Sequence, residues 1–329
     1  MRYEIPGGFG SLPSVAVLGG GHGLAANLTA LRRVTDRLTA VVTVADDGGS
    51  SGRLREELEC LPPGDLRMAL AALCGDDVAG RRWAEVLQYR FTSDGPLTGH
   101  PIGNLMIAGI WQQLDDAVAG LDALGELIGA RGRVLPMAAD PLDIQAEVVG
   151  HDPLRPEDLV PVRGQVAVAS TPGWIQSIEL FPTEPRACPA AVTAILDADW
   201  VILGPGSWFT SVLPHLMVPE LAEALCATRA RRILTLNITP SADETPDFTA
   251  ARHIELVAEH EPRMRFDVVL ADQEFAAGDA AIGSYAQSLG AALVTQDLIM
   301  RDGTARHHPL RLASAYSEIM TGDGPLPVD

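Results

Sequence analysis

Apolar residues along this chain fall into two patterns. In one, short unbroken blocks such as Val15-Ala16-Val17-Leu18 and Trp200-Val201-Ile202-Leu203 end abruptly at glycine. Such blocks are the mark of strands buried on both faces. They predict strands at Ser14–Gly19, Leu38–Val44, Trp200–Leu203, Arg232–Leu236, Val268–Leu270 and Ala292–Val294. In the other, apolar positions recur every third or fourth residue, as on one face of a helix. This predicts helices over Gly23–Arg33, Pro219–Cys226, Ala250–His260 and Leu310–Met320. The stretch 52–130 is helical by the same period, through Asp65–Leu73, Gly103–Leu114 and Val118–Ile128, and reads as a helical insertion or lid over the first glycine loop. Four short patterns follow without helices between them: Val134–Met137, Gln145–Val149, Gln165–Ala169 and Ile175–Phe181. Pro-rich turns at Asp152-Pro153, Arg155-Pro156 and Val160-Pro161 join them, which predicts a small antiparallel patch. Strand–helix alternation at both ends predicts an α/β fold, a Rossmann-like, doubly wound, mostly parallel sheet. A single nucleotide-binding domain over 14–320 is expected, with tails at 1–13 and 321–329.

The ends of the strand blocks carry the candidate chemistry. After the first comes Gly19-Gly20-Gly21-His22-Gly23-Leu24, then a helix. A helix N-terminus exposes unpaired N–H groups and partial positive charge, and glycine lets an anion come close. Gly21, Gly23 and Ala26 fit G-x-G-x-x-G/A, and Asp46 stands 20 residues beyond Ala26 at the end of the next strand. That position opens a second loop, Ala45-Asp46-Asp47-Gly48-Gly49-Ser50-Ser51-Gly52-Arg53-Leu54-Arg55. Ser50 and Ser51 can donate to phosphate or cap a helix, and Arg53 and Arg55 can pair with phosphate. Asp46 or Asp47 can take ribose hydroxyls or hold Mg²⁺ through water. A third loop, Gly204-Pro205-Gly206-Ser207, also follows a strand and serves either as an anion site or as a tight turn with Ser207 as cap. Asp65 with Arg67 at one helix start, and His100 with Asn104 at another, complete the polar candidates.

Composition narrows the partners. The net charge is −19, so nucleic acid and anionic membrane are discounted, and no apolar run suits membrane insertion. All 24 basic residues are arginine. Without lysine there is no Walker A site, Schiff base or lysine general base, so phosphate must be held by backbone N–H groups, hydroxyls and guanidinium forks. Four scattered cysteines, none in a C-x-x-C pair, suit a reducing cytoplasm and no zinc cluster, and no basic-then-apolar leader opens the chain.

Together these runs resemble the YvcK family, the gluconeogenesis factors or UDP-N-acetylglucosamine-binding proteins. The matching residues are Gly19–Leu24, Val42–Arg55, Leu61-Pro62-Pro63-Gly64-Asp65 with Arg67, Gln88-Tyr89-Arg90-Phe91, Gly99-His100 with Gly103-Asn104, and Gly204–Ser207. The wider superfamily includes the 2-phospho-L-lactate transferases of deazaflavin synthesis. Two departures stand out: His22 replaces the family's threonine, and the segment Leu236–Thr245 keeps Asn237 and Glu244-Thr245 but not the family's glycine. The C-terminal part resembles the family through Tyr285-Ala286 and Arg306-His307-His308-Pro309, where Tyr285 would stack on a base and Arg306 would close over the ring or its phosphate.

The resemblance implies a regulatory protein that binds a UDP-sugar through Gly20, Gly21, His22, Gly23, Leu24 and the loops above, needs no cofactor, forms a homodimer, and acts through protein partners in cell-wall synthesis. It would link gluconeogenic growth to peptidoglycan and cell shape. The alternative is a Mg²⁺-assisted phospholactyl-type transferase, with Asp46 and Asp47 on the metal, Arg53 and Arg55 on phosphate and His100 as base. An NAD-dependent oxidoreductase is weaker, for want of a proton-transfer partner near a substrate site.

Overall fold

The computed structural model describes residues 12–239 and 248–322. The tails expected at 1–13 and 321–329, and the loop carrying Glu244-Thr245, fall wholly or largely outside them. Ten strands form: β1 (Val15–Gly19), β2 (Leu38–Val42), β3 (Arg133–Pro136), β4 (Asp143–Val149), β5 (Leu159–Arg163), β6 (Trp174–Phe181), β7 (Trp200–Leu203), β8 (Arg231–Thr235), β9 (Val268–Asp272) and β10 (Ala292–Gln296). Seven make one sheet in the order β10-β9-β8-β7-β1-β2-β3, and every neighbouring pair is parallel. Val17 lies between Ala40 and Ile202, and all three are fully buried. The apolar blocks thus form the middle layer, covered on both faces. The chain turns from one direction of growth to the other between β1 and β7, where the loops after the two strands pack closely against each other.

The helical stretch between β2 and β3 consists of α2 (Gly49–Leu58), α3 (Pro63–Leu73), α4 (Val78–Gln88), α5 (Ile102–Leu114) and α6 (Ala117–Ile128). Helix α3 packs on β2, β3 and α1 (Gly21–Leu31), and α6 packs on β3. They form a layer of the fold, and the N-termini of α2, α3 and α5 meet beyond the carboxyl end of β2.

The antiparallel patch is a second sheet in the order β5-β4-β6, and three expectations for it are corrected, the first being Val134–Met137, which is not part of it but forms β3, the parallel edge strand beside β2 in the main sheet. Gln165–Ala169 is not a strand but a helical turn, α7. Gly164, at φ 100°, ends β5, and the Asp47 carboxylate accepts the Val166 N–H at 3.0 Å, fixing the first turn. The alternating Val166 and Val168 mimic a strand, yet only Val168 is buried. The actual strand is β5, and Val160-Pro161 lies within it, not in a turn. Pro161 is tolerated because β5 is at the sheet edge.

The helix Pro309–Thr321 packs against α1 and supplies Tyr316, a fully buried phenol. Its hydroxyl donates to Asn27 Oδ1 at 2.6 Å and lies 2.8 Å from Thr235 Oγ1, and Asn27 Nδ2 donates to the Gly204 carbonyl at 2.5 Å. This buried chain ties α1, β8, the final helix and the loop after β7 together.

Three of the four buried histidines among the described residues lie deep in the core and are held neutral. Burial lowers His215, His253 and His307 each to about 4. His253 sits against Trp208, with ring centroids 4.9 Å apart, and between Phe248 and Phe275. An unfolded histidine takes up its proton near pH 6.5, so protons favour the unfolded chain as pH falls from there towards 4, by up to about 3 kcal/mol per site. Denaturant titrations should therefore show stability dropping between pH 7 and 4.5, and His253→Phe should flatten part of that slope. An unchanged slope in the variant would show that His253 is not one of the groups responsible.

Candidate functional site

Beyond the carboxyl end of β2 lies a polar cavity of about 290 Å³ lined by Asp46, Ser50, Ser51, Asp65, Arg67 and Arg90, with Asn104 and backbone from Gly48, Gly49 and Gly64. Three helix starts meet at it. Gly48–Ser51 open α2, Gly64 and Asp65 open α3, and Asn104 stands in the first turn of α5. Each start presents N–H groups that no carbonyl of its own helix can take.

The wall is a continuous set of oriented hydrogen bonds. Gln88 Oε1 accepts from the Arg67 guanidinium, and Arg67 Nε donates to Asn104 Oδ1 at 2.9 Å. Asn104 Nδ2 donates to Ser50 Oγ at 3.0 Å, and Ser50 Oγ lies 2.7 Å from His100 Nδ1. Ser51 Oγ accepts the Gly64 N–H at 3.0 Å, and Asp46 Oδ1 accepts the Gly48 N–H at 2.9 Å.

Charge is arranged in two like-signed pairs. Burial together with Asp46 raises Asp65 to about 7, against the opposing pull of the Gly21 N–H and Arg67. Asp65 Oδ2 is buried with no hydrogen-bond partner. Burial and the neighbouring Arg90 lower Arg67 to about 10. Two carboxylates and two guanidiniums share one small cavity, and the second cation, Arg90, is an exposed residue whose guanidinium donates to the Gly99 carbonyl at 2.7 Å.

Other candidates from the sequence sit elsewhere. Gly20 and Gly21 lie behind Asp65, and Gly21 donates its N–H to that carboxylate. His22 is exposed on the first turn of α1, while Leu24 is core. Gly23 meets the loop after β7 so closely that a Cβ would lie 2.7 Å from Gly206 Cα. In that loop Asn237 clamps both backbone groups of Gly206 at 2.9 Å, and Ser207 accepts the Thr210 N–H at 3.2 Å. Arg53 holds the carbonyls of Pro96 and Thr98 at 3.0 and 2.9 Å, and Arg55 pairs with Asp143 at 2.9 Å. Asp47 points away from Asp46 to cap α7. The carboxylates brought together are therefore Asp46 and Asp65. Tyr285 is half-buried on the helix Ile282–Ser288, which packs against β10, and Arg306 is exposed in the loop after β10. Arg90, on the cavity wall, and Gln88, bonded to Arg67, belong to the site although their residue types alone do not mark them in the sequence. Their only signal is the run Gln88-Tyr89-Arg90-Phe91, which carries no recognisable chemistry by itself.

The family model described as 2-phospho-L-lactate transferase CofD matches residues 15–308. A Mycobacterium tuberculosis protein, provisionally named a gluconeogenesis factor, is 50% identical over 312 residues, covering 94% of this chain and 91% of its own. A Listeria monocytogenes protein named gluconeogenesis factor is 36% identical over 314 residues, covering 92% and 94%. A crystal structure of a Bacillus halodurans protein, described as a member of the UPF0052 family, matches with a TM-score of 0.81 at 30% identity, covering 94% of this chain and 99% of that one.

The Asp65 geometry has a measurable consequence. A carboxyl raised to about 7 keeps its proton in the fold while an unfolded aspartate loses its own near 3.9, so the stability this proton contributes at low pH fades as pH rises from about 3.9 through 7. Asp65→Asn should gain on the unsubstituted protein as pH rises from 5 to 8, by on the order of 3 kcal/mol in denaturant unfolding. A constant difference across that range would mean that Asp65 ionises like an exposed aspartate.

Proposed function

The chain belongs to the CofD family, among the gluconeogenesis factors, and from that premise we propose that it is a regulatory protein that binds a UDP-sugar in the cavity framed by α2, α3 and α5. The observation that carries this reading is the convergence of three helix N-termini with Arg67 and Arg90. That arrangement suits a diphosphate in a chain that has no lysine. Small-molecule sites usually run to roughly 300–1,000 Å³, so the cavity itself holds the phosphate end. A neighbouring cavity of about 380 Å³, lined by Arg53, Glu56, Glu57, Pro96 and His100, lies across the Ser50–His100 contact and gives room for the rest. The family resemblance supplies the identity of the ligand, UDP-N-acetylglucosamine, and the expected output through cell-wall partners to peptidoglycan synthesis and cell shape. Action in the cytoplasm as a homodimer belongs to the same proposal. No helix among the described residues is long and apolar enough to cross a membrane.

A second reading, Mg²⁺-assisted transfer of a phospholactyl-type group, is favoured by one observation: Asp65 Oδ2 is buried without a hydrogen-bond partner, in a carboxyl near enough to Asp46 to feel its charge. An oxygen-only pair of this kind suits Mg²⁺, which binds through one or two carboxylates and substrate phosphates. Asp46 and Asp65 would hold the ion, in place of Asp46 and Asp47. Bound there, it would neutralise phosphate charge, while Arg67 and Arg90 would orient the phosphate oxygens.

Isothermal titration with UDP-N-acetylglucosamine, UDP and GDP, each with and without Mg²⁺, separates the two. Micromolar binding of the UDP-sugar without Mg²⁺ is expected. Arg90→Ala should weaken it at least about tenfold, the loss of one charge-assisted contact, with an unchanged melting temperature. Binding of GDP alone, and only with Mg²⁺, would replace the sensor with the transferase.

A further inference from the structure

We propose that Ser50 and His100 form a proton-transfer pair that makes Ser50 a nucleophile towards phosphorus in this cavity. The hydrogen-bond chain determines the direction of the proton. Arg67 Nε can only donate, so the Asn104 atom facing it is the carbonyl oxygen, and the amide nitrogen faces Ser50. Ser50 Oγ accepts that N–H. Its single hydrogen is left for His100 Nδ1, 2.7 Å away, and one lone pair remains for attack. His100 is in the state a base needs, because burial and Arg53 lower its pKa below the ordinary histidine range and keep the ring neutral at pH 7. The charged groups around it are Arg53 and Glu57 from α2 and Arg90 from the segment preceding α5; Glu57 opposes the two arginines.

Position adds to orientation. Ser50 stands in the first turn of α2 and lines the cavity with Arg67 and Arg90, so an electrophile held by the guanidiniums meets the hydroxyl. The substrate class is a phosphoanhydride or phosphate ester carrying negative charge. In the step, the Ser50 Oγ–P bond forms as the bond from phosphorus to the leaving oxygen breaks. The hydroxyl proton passes to His100 Nδ1, and the leaving oxygen, on the far side of phosphorus, departs as an anion that takes its proton from solvent. The product is a phosphoseryl protein that water hydrolyses. Neighbouring Ser51 lacks this arrangement, since its only hydrogen-bond partner among the described residues is the Gly64 N–H.

The proposal goes beyond ligand binding, and its test uses a probe other than the nucleotide sugar. The full chain is treated with diisopropyl fluorophosphate, which places phosphorus on a reactive serine with loss of fluoride, and adducts are read by intact mass and peptide mapping. One adduct, at Ser50, is expected. Its rate should rise through a single titration with a midpoint below about 6.5 and level off by pH 7. Ser50→Ala should abolish it, and His100→Gln should slow it about 100-fold. No adduct at Ser50, or a rate that keeps climbing above pH 8 as for an ordinary hydroxyl, would overturn the pair. The pH profile of the unsubstituted protein decides even if His100→Gln fails to fold. Labelling that UDP-N-acetylglucosamine does not slow would sustain the pair and count against the binding reading. Tight binding of that sugar by calorimetry without any labelling would remove the pair alone.

Discussion

The structure depends on how the positive ends of its helices are answered. Four helix starts, those of α1, α2, α3 and α5, are gathered at the carboxyl ends of β1 and β2, where backbone N–H groups find no carbonyl partners. In the protein itself the answer comes from Asp46, Asp65, Ser50 and Ser51, each bonded to or facing such a start. That solution leaves buried charge under strain. Asp65 is driven towards its neutral form, and Arg67 is made a weaker base than an ordinary guanidine. An anionic ligand relieves the guanidinium pair, and a proton or cation relieves the carboxyl pair.

The fold is legible in the sequence wherever burial is two-sided. The blocks before Gly19, Thr43 and Gly204 are strands because nothing but an apolar side chain suits a parallel sheet covered on both faces. The small sheet is less legible. Val166 and Val168 alternate as a strand would, and only the distant carboxylate of Asp47 makes that segment a helical turn. Pro161 looks like a breaker, and only the edge position of β5 permits it.

The site is legible by loop and obscure by atom. Asp46, Ser50, Ser51, Asp65, Arg67 and Asn104 stand out in sequence as polar residues at helix starts, and one cavity unites them. Which charges face that cavity does not follow from spacing. Arg53 and Arg55 look like phosphate ligands but are engaged with loop carbonyls and Asp143, whereas Arg90 arrives from a hairpin with no local signature. Asp47 seems the natural mate of Asp46, yet consecutive side chains diverge, and Asp65 is brought in by folding.

The Asp47 cap also has a mechanical side. It joins two residues 119 positions apart, binding the rim of the large sheet to the first turn of α7, which follows directly from the edge strand of the small one. Asp46, one peptide unit away, is part of the cavity wall. The small sheet, whose opposite edge strands expose Leu159 and Trp174, is therefore anchored to the cavity loop at two points, the Asp47 cap and the Arg55–Asp143 pair.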